Sequence, residues 1–89
     1  MELIYTTGDW TSLNEAHLTE IHQSLIFIQN VFAKNPTLVQ KTIYKLQLNC
    51  NLQFLQKTIN DFRFYYLSKK DKEIIKNELK NHKDFLESL

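Results

Sequence analysis

The clearest pattern in the chain is a run of apolar positions between residues 48 and 66, spaced four, three, four, three and four residues apart. These positions are Leu48, Leu52, Leu55, Ile59, Phe62 and Tyr66. Because a residue three or four places along an α-helix returns to the same face, the spacing predicts an amphipathic helix over residues 51–67. The rest of the chain is expected to supply the partners that bury this face.

Two further stretches show the same spacing and predict helices over residues 13–33 and 69–88. Ser12, with Glu15 three residues later, is typical of a capping box at the start of the first of these helices. Ser68 suits the N-cap of the last helix. The apolar stripes are Leu18, Ile21, Leu25, Ile28 and Phe32 in the first helix and Ile75, Leu79, His82, Leu86 and Leu89 in the last.

Residues 1–11 predict a short non-helical arm, because Thr7 and Gly8 are poor helix formers and glycine permits a turn. The same segment contains several apolar side chains. A free tail would leave these side chains in water, so the arm is expected to pack against the helices.

Between the first helix and residue 51 the apolar pattern changes face. Asn35 and Pro36 suit the N-cap and first position of a helix over residues 36–48. One face carries Val39, Ile43, Leu46 and Cys50, and another, about half a turn away, begins with Tyr44 and Leu48. A break near residues 49–51 would explain the change, since Asn favours caps and turns. One continuous helix over residues 36–67 in a homodimer would explain it as well.

Residues 44–54 also alternate apolar and polar side chains, which is a strand pattern. Leu, Gln and Lys favour a helix, and β-branched residues are absent from this range, so a helix is the stronger prediction. The alternative is an α+β fold that pairs this strand with residues 2–6. The predicted class is all-α, a single domain over residues 1–89 built as a three- or four-helix bundle. Its predicted core is Leu18, Ile21, Leu25, Leu52, Leu55, Ile59, Ile75 and Leu79.

Composition agrees with a small helical domain. The chain has 89 residues, one Gly and one Pro, too few turn formers for an all-β fold. Cys50 is the single cysteine, so no internal disulfide can form, and it is expected to be a small buried hydrophobe. The longest apolar runs are about four residues, short of the ~20 that a membrane span needs. We therefore expect a cytoplasmic protein with no membrane partner.

Few residues in the chain could carry catalysis. There is no glycine-rich phosphate loop, no cysteine pair and no zinc-protease or serine-hydrolase motif. His17 and His22 lie about 140° apart around a helix, and Glu20 with His17 gives only two ligands, too few for a zinc site. Arg63, the sole arginine, has no histidine a few residues downstream. We therefore expect no enzymatic activity, no metal and no cofactor.

Charge is distributed unevenly, although the net charge is only +1. Residues 1–33 contain four acidic and no basic side chains, whereas residues 34–89 contain all eleven basic side chains against six acidic ones. The predicted partner-binding residues are Arg63, Tyr65, Tyr66, Lys69, Lys72, Lys76, Lys80 and Lys83. Basic groups beside aromatic rings suit an acidic protein surface or a phosphate backbone with unstacked bases. A solvated helix face is the alternative.

These features favour a non-enzymatic protein that binds and inhibits or regulates a larger protein or ribonucleoprotein. Small helical chains of this kind are typical of phage-type inhibitors such as anti-CRISPR or anti-sigma proteins, and of antitoxins. An RNA- or DNA-binding accessory subunit that uses the lysines is an alternative. The turn Tyr65-Tyr66-Leu67-Ser68-Lys69, followed by an amphipathic helix, resembles helical bacteriocin immunity proteins over these five residues.

Overall fold

The computed structural model describes the backbone of residues 7–89 and the side chains of residues 15–89. It contains three α-helices: α1 (Thr7–Ala33), α2 (Leu38–Asn60) and α3 (Lys69–Ser88). A 3₁₀ helix, Phe62–Tyr66, joins α2 to α3, and we call it the aromatic turn. The described residues contain no strand, so the predicted all-α class is confirmed, and the alternative of a strand over residues 44–54 is wrong.

The first helix is longer than the sequence predicts. Its backbone begins at Thr7, so residues 7–11 are helical and Ser12 lies inside α1, while residues 1–6 lie outside the described part. Extending a nucleated helix adds one hydrogen bond per residue, which offsets the propensity cost of Thr and Gly, at most ~1 kcal/mol each. α1 ends where the Lys34 N–H donates to the Val31 carbonyl at 3.1 Å.

The connection to α2 differs from the prediction that Asn35 would be the N-cap. Asn35 has a φ of +56°, the left-handed conformation that commonly follows a helix and that Asn tolerates. The N-cap is Thr37 instead. Its hydroxyl accepts the Gln40 N–H at 3.1 Å, while the Gln40 side chain accepts the Thr37 N–H at 2.9 Å. This Thr-x-x-Gln capping box starts α2 two residues later than expected.

α2 continues without interruption through residues 49–51, so the predicted break is wrong. The amide oxygen of Asn51 accepts the Gln47 Nε2–H at 3.0 Å, which occupies the side chain and keeps it from competing for backbone groups. The predicted helix over residues 51–67 is also wrong at its end, because α2 stops at Asn60. There the Asp61 carboxylate accepts the Arg63 N–H at 2.9 Å and caps the aromatic turn.

The three helices bury two groups of apolar side chains. The first cluster is Ile21, Leu55, Phe64 and Ile75, and the second cluster is Leu25, Ile28 and Leu48. Along the chain α1 runs from the first cluster to the second, α2 returns to the first, and α3 runs to the second again, where Phe85 and Leu86 pack. Consecutive helices therefore run in opposite directions.

The predicted core residues contribute to these clusters to different extents. Ile21, Leu25, Leu55 and Ile75 are buried, whereas Leu18, Ile59 and Leu79 are half-buried against the first cluster and Leu52 is half-buried. The prediction omits Ile28 and Leu48, which are buried in the second cluster, and Phe64, which is buried in the first.

One apolar face of α2 is exposed. We call Val39, Ile43, Leu46 and Cys50 the α2 stripe. Val39, Ile43 and Leu46 are 66%, 54% and 61% exposed, and Cys50 is exposed rather than buried as predicted. At ~100° per residue the α2 stripe is centred roughly 160° from Leu48 and Leu55, the side chains that enter the clusters.

Candidate partner-binding surface

An ion pair at its start stabilises the aromatic turn. The Arg63 guanidinium donates from Nε and Nη2 to the two carboxylate oxygens of Asp61, at 2.9 and 2.7 Å. These side-chain hydrogen bonds from Arg63 hold the pKa of Asp61 below its usual value. Both side chains are about three-quarters buried. The pair therefore fixes the backbone at the point where α2 gives way to the turn.

The aromatic turn directs one ring inward and three outward. Phe64 is buried in the first cluster, whereas Phe62, Tyr65 and Tyr66 are 74%, 75% and 69% exposed. A 3₁₀ helix has about three residues per turn, so only side chains three positions apart point the same way. Phe62, Tyr65 and Tyr66 are one or two positions from Phe64 and therefore point elsewhere. The Tyr65 and Tyr66 rings contact each other edge to face, with centroids 5.5 Å apart. The result is a patch of exposed aromatic surface.

Cationic groups lie against this patch. The Lys72 Nζ atom is 5.1 Å from the centre of the Tyr65 ring, and the Arg63 guanidinium carbon is 5.7 Å from the centre of the Phe62 ring. Both distances allow a cation–π interaction. Lys72 is half-buried and belongs to the first turn of α3. It therefore joins the aromatic turn to the basic face of the last helix.

The basic face of α3 consists of lysines spaced three, four, four and three residues apart. We call Lys69, Lys72, Lys76, Lys80 and Lys83 the lysine stripe. At ~100° per residue they lie within an arc of ~80°, about a third of a turn away from Ile75 and His82. All except Lys72 are exposed. Within the described part of the chain, the Arg63–Asp61 ion pair and the close contacts of His22 and His82 with Glu78 involve none of these lysines.

The structure thus brings some of the predicted partner-binding residues together. Tyr65, Tyr66 and Lys72 are in contact, and Lys69 begins α3 three residues after Tyr66. Lys83 lies eleven residues beyond Lys72, about 16 Å along the helix at ~1.5 Å per residue. Arg63 is adjacent, but its guanidinium binds Asp61.

A buried polar group that the sequence analysis did not predict connects the three helices. His82 is fully buried, and Asn51 and Glu78 are 5% and 8% exposed. The sequence analysis includes His82 in the stripe of the last helix and Asn51 in a predicted break, and it gives Glu78 no role. One signal was present: Glu78 falls three residues after Ile75 and four before His82, within the apolar stripe of α3.

Hydrogen bonds account for both ring nitrogens of His82. Its Nδ1 lies 3.0 Å from the Glu78 carbonyl and 3.4 Å from the Glu78 Oε2, and its Nε2 lies 3.5 Å from the Asn51 amide nitrogen. A neutral ring protonated on Nδ1 donates to the first group and accepts from the last. The other Glu78 oxygen, Oε1, lies 2.9 Å from His22 Nδ1. Because neither nitrogen of His82 faces solvent, this group connects helices rather than presenting a base.

The two histidines that the sequence analysis considered as metal ligands lie on the surface. His17 and His22 are both exposed, and the His17 ring stacks on Phe54 with centroids 3.9 Å apart. Among the residues that the structure describes, no three His, Cys, Asp or Glu side chains are placed to hold a metal ion. None of the described helices combines the length and apolar character needed to cross a membrane.

No family model, no curated protein and no solved structure matches this chain.

Proposed function

We propose that the protein is a non-enzymatic helical-bundle protein that binds a larger protein or ribonucleoprotein and inhibits or regulates it. The observation that supports this most is the exposure of Phe62, Tyr65 and Tyr66 side by side on the aromatic turn. Clustered apolar side chains on a small protein mark interaction sites, and aromatic residues dominate the binding energy of protein interfaces. The proposed contact surface is the aromatic turn with the lysine stripe.

The two parts of this surface have different roles in the proposal. The tyrosine rings supply area that loses water on binding and anchors the partner. The lysines create a positive field that accelerates association with an acidic surface and sets its orientation. Arg63 supports this surface indirectly, because its ion pair with Asp61 fixes the backbone of the aromatic turn.

A nucleic acid is the second candidate partner, and the contact between Lys72 and Tyr65 favours it. Exposed tyrosine rings can stack on unpaired bases while lysines neutralise the adjacent phosphates. Salt separates the two candidates, since affinity for nucleic acid falls steeply with salt as phosphate contacts release counterions. Phage-type inhibitors, antitoxins and bacteriocin-immunity-like proteins are forms of the first candidate, assigned by analogy alone.

The proposal is tested by affinity capture from the source cell with and without nuclease, followed by binding measurements on two charge-reversal variants. Each variant changes three lysines to glutamate: Lys72, Lys76 and Lys80 in the lysine stripe, and Lys34, Lys41 and Lys45 as a control with the same change in net charge. Both should fold, because exposed charges contribute only ~0–1 kcal/mol each, and the half-buried Lys72 lies in the first turn of α3, where the helix dipole favours a carboxylate.

We expect the stripe variant to bind the captured partner at least ~10-fold more weakly, equivalent to ~1.4 kcal/mol, while the control stays close to wild type. If nuclease treatment abolishes capture of the partner, the partner is a nucleic acid and the second candidate replaces the first. Binding by the folded stripe variant at wild-type strength would show that the lysines are only a solvated face.

A further inference from the structure

The α2 stripe is an apolar surface that no other part of the described chain covers. Its members are spaced four, three and four residues apart, the spacing of the a and d positions of a coiled coil. The positions that would extend the pattern are Pro36 and the exposed Gln53, so it has two defined ends. It spans about 17 Å of helix at ~1.5 Å per residue.

The residues that flank the α2 stripe carry no charge. The positions beside its apolar members are Gln40, Thr42, Gln47 and Asn49. In a coiled coil these flanking positions meet across the interface and select partners by charge. In a symmetric antiparallel pair each flank meets the same flank of the second copy, so a flank with charges of one sign would be repelled by its copy. Uncharged amide and hydroxyl groups are instead compatible with a second copy, and this selects the occupant.

We propose that the α2 stripe pairs with the α2 stripe of a second copy of this chain, with the two helices antiparallel. In that arrangement Ile43 faces Leu46 of the second copy, and Val39 faces its Cys50, so all four apolar positions are covered. The antiparallel direction also places opposite helix-dipole ends next to each other. This surface is separate from the aromatic turn, and the inference does not depend on the proposed function.

The size of the α2 stripe determines how strong the pairing is. Stable protein interfaces bury at least ~1,200 Å² in total, and four side chains over three helical turns form a smaller interface, of the size typical of weak association. The pairing is therefore a concentration-dependent dimer, which at high local concentration presents two copies of the aromatic turn.

Sedimentation equilibrium of the full chain, from about 1 μM to about 1 mM, tests the pairing. The mass should rise from monomer to dimer across this range under reducing conditions. Leu46→Glu should raise the dimer Kd at least ~10-fold, whereas Leu38→Glu, at a more exposed position on the same helix outside the α2 stripe, should leave it within ~2-fold. A monomer mass at every concentration would overturn the proposal, and so would equal effects of the two variants.

Cross-linking tests the direction of the helices. Mild oxidation of Val39→Cys should join position 39 of one copy to Cys50 of the other, and peptide mapping identifies the bond. The wild-type chain, with Cys50 alone, should cross-link much more slowly, because the two Cys50 residues lie at opposite ends of the interface. Faster cross-linking of wild type, or bonds only between the two Cys50 residues, would exclude the antiparallel pair.

Discussion

Replacing Leu55 by Ala probes the packing at the centre of α2. Leu55 is fully buried in the first cluster, which also contains Ile21 of α1 and Ile75 of α3. The shorter side chain loses apolar contacts with both helices, and the surrounding side chains can only partly fill the space that remains. The change acts on the folded state, and Ala at this position does not disfavour the helix itself.

The expected loss of unfolding free energy is about 2.5–5 kcal/mol. Transfer of the deleted groups accounts for ~2 kcal/mol at ~0.8 kcal/mol per buried CH₂, and the cavity adds the rest. A chain of this length has a total stability of roughly 4–13 kcal/mol. The substitution should therefore remove a large part of it and lower Tm by at least ~10 °C.

Urea unfolding followed by circular dichroism measures this loss. Leu46→Ala is the matched control, since it makes the same change on the same helix at a side chain that is 61% exposed. The control should change stability by no more than ~0.5 kcal/mol when measured at low micromolar protein, where pairing through the α2 stripe is negligible. Equal losses for the two variants would refute the assignment of the core face of α2.

Three further substitutions test other contacts. Arg63→Gln should raise the pKa of Asp61, which carboxyl NMR measures, and an unchanged pKa would contradict the pairing. Because folding lowers this pKa, the ion pair stabilises the folded protein above the unfolded pKa of ~3.9. This stabilisation is lost as the pH falls through the lowered pKa of the folded state. Asn51→Leu should cost ~1–3 kcal/mol in chemical unfolding, because His82 Nε2 loses its donor, and a stabilised variant would show that the bond is not needed. Ser68→Ala should cost ~1 kcal/mol, since the Ser68 hydroxyl accepts the Asp71 N–H at 3.1 Å, and unchanged stability would exclude this cap.

Periodicity predicts the outer helices well because each has one apolar face. In α1 the stripe containing Ile21, Leu25 and Ile28 is buried, and in α3 Ser68 caps the helix as its sequence indicates. α2 is harder, because it carries two apolar faces and local spacing cannot say which one meets the other helices. The second face therefore gives the same sequence pattern as a break in the helix.

The spacing of apolar residues along the chain cannot predict contacts between residues that are distant in sequence. His22 and Glu78 are 56 positions apart, and Asn51 and His82 are 31 apart, so their pairing depends on how the helices pack. The common face of the five lysines on α3 is easier to predict, because they repeat at helical spacing. The sequence did not indicate that Phe64 would turn inward, or that the Asp61–Arg63 pair would end α2.

The most direct test of the proposed function is the affinity of the tyrosine double variant, Tyr65→Ala with Tyr66→Ala, for the partner recovered by capture. Phe27→Ala, which removes an aromatic ring that is 55% exposed on α1, is the control. The proposal predicts that the double variant folds and binds at least ~10-fold more weakly, while the control binds within ~2-fold of wild type. Wild-type affinity of the folded double variant would contradict the assignment of the aromatic turn as the binding surface.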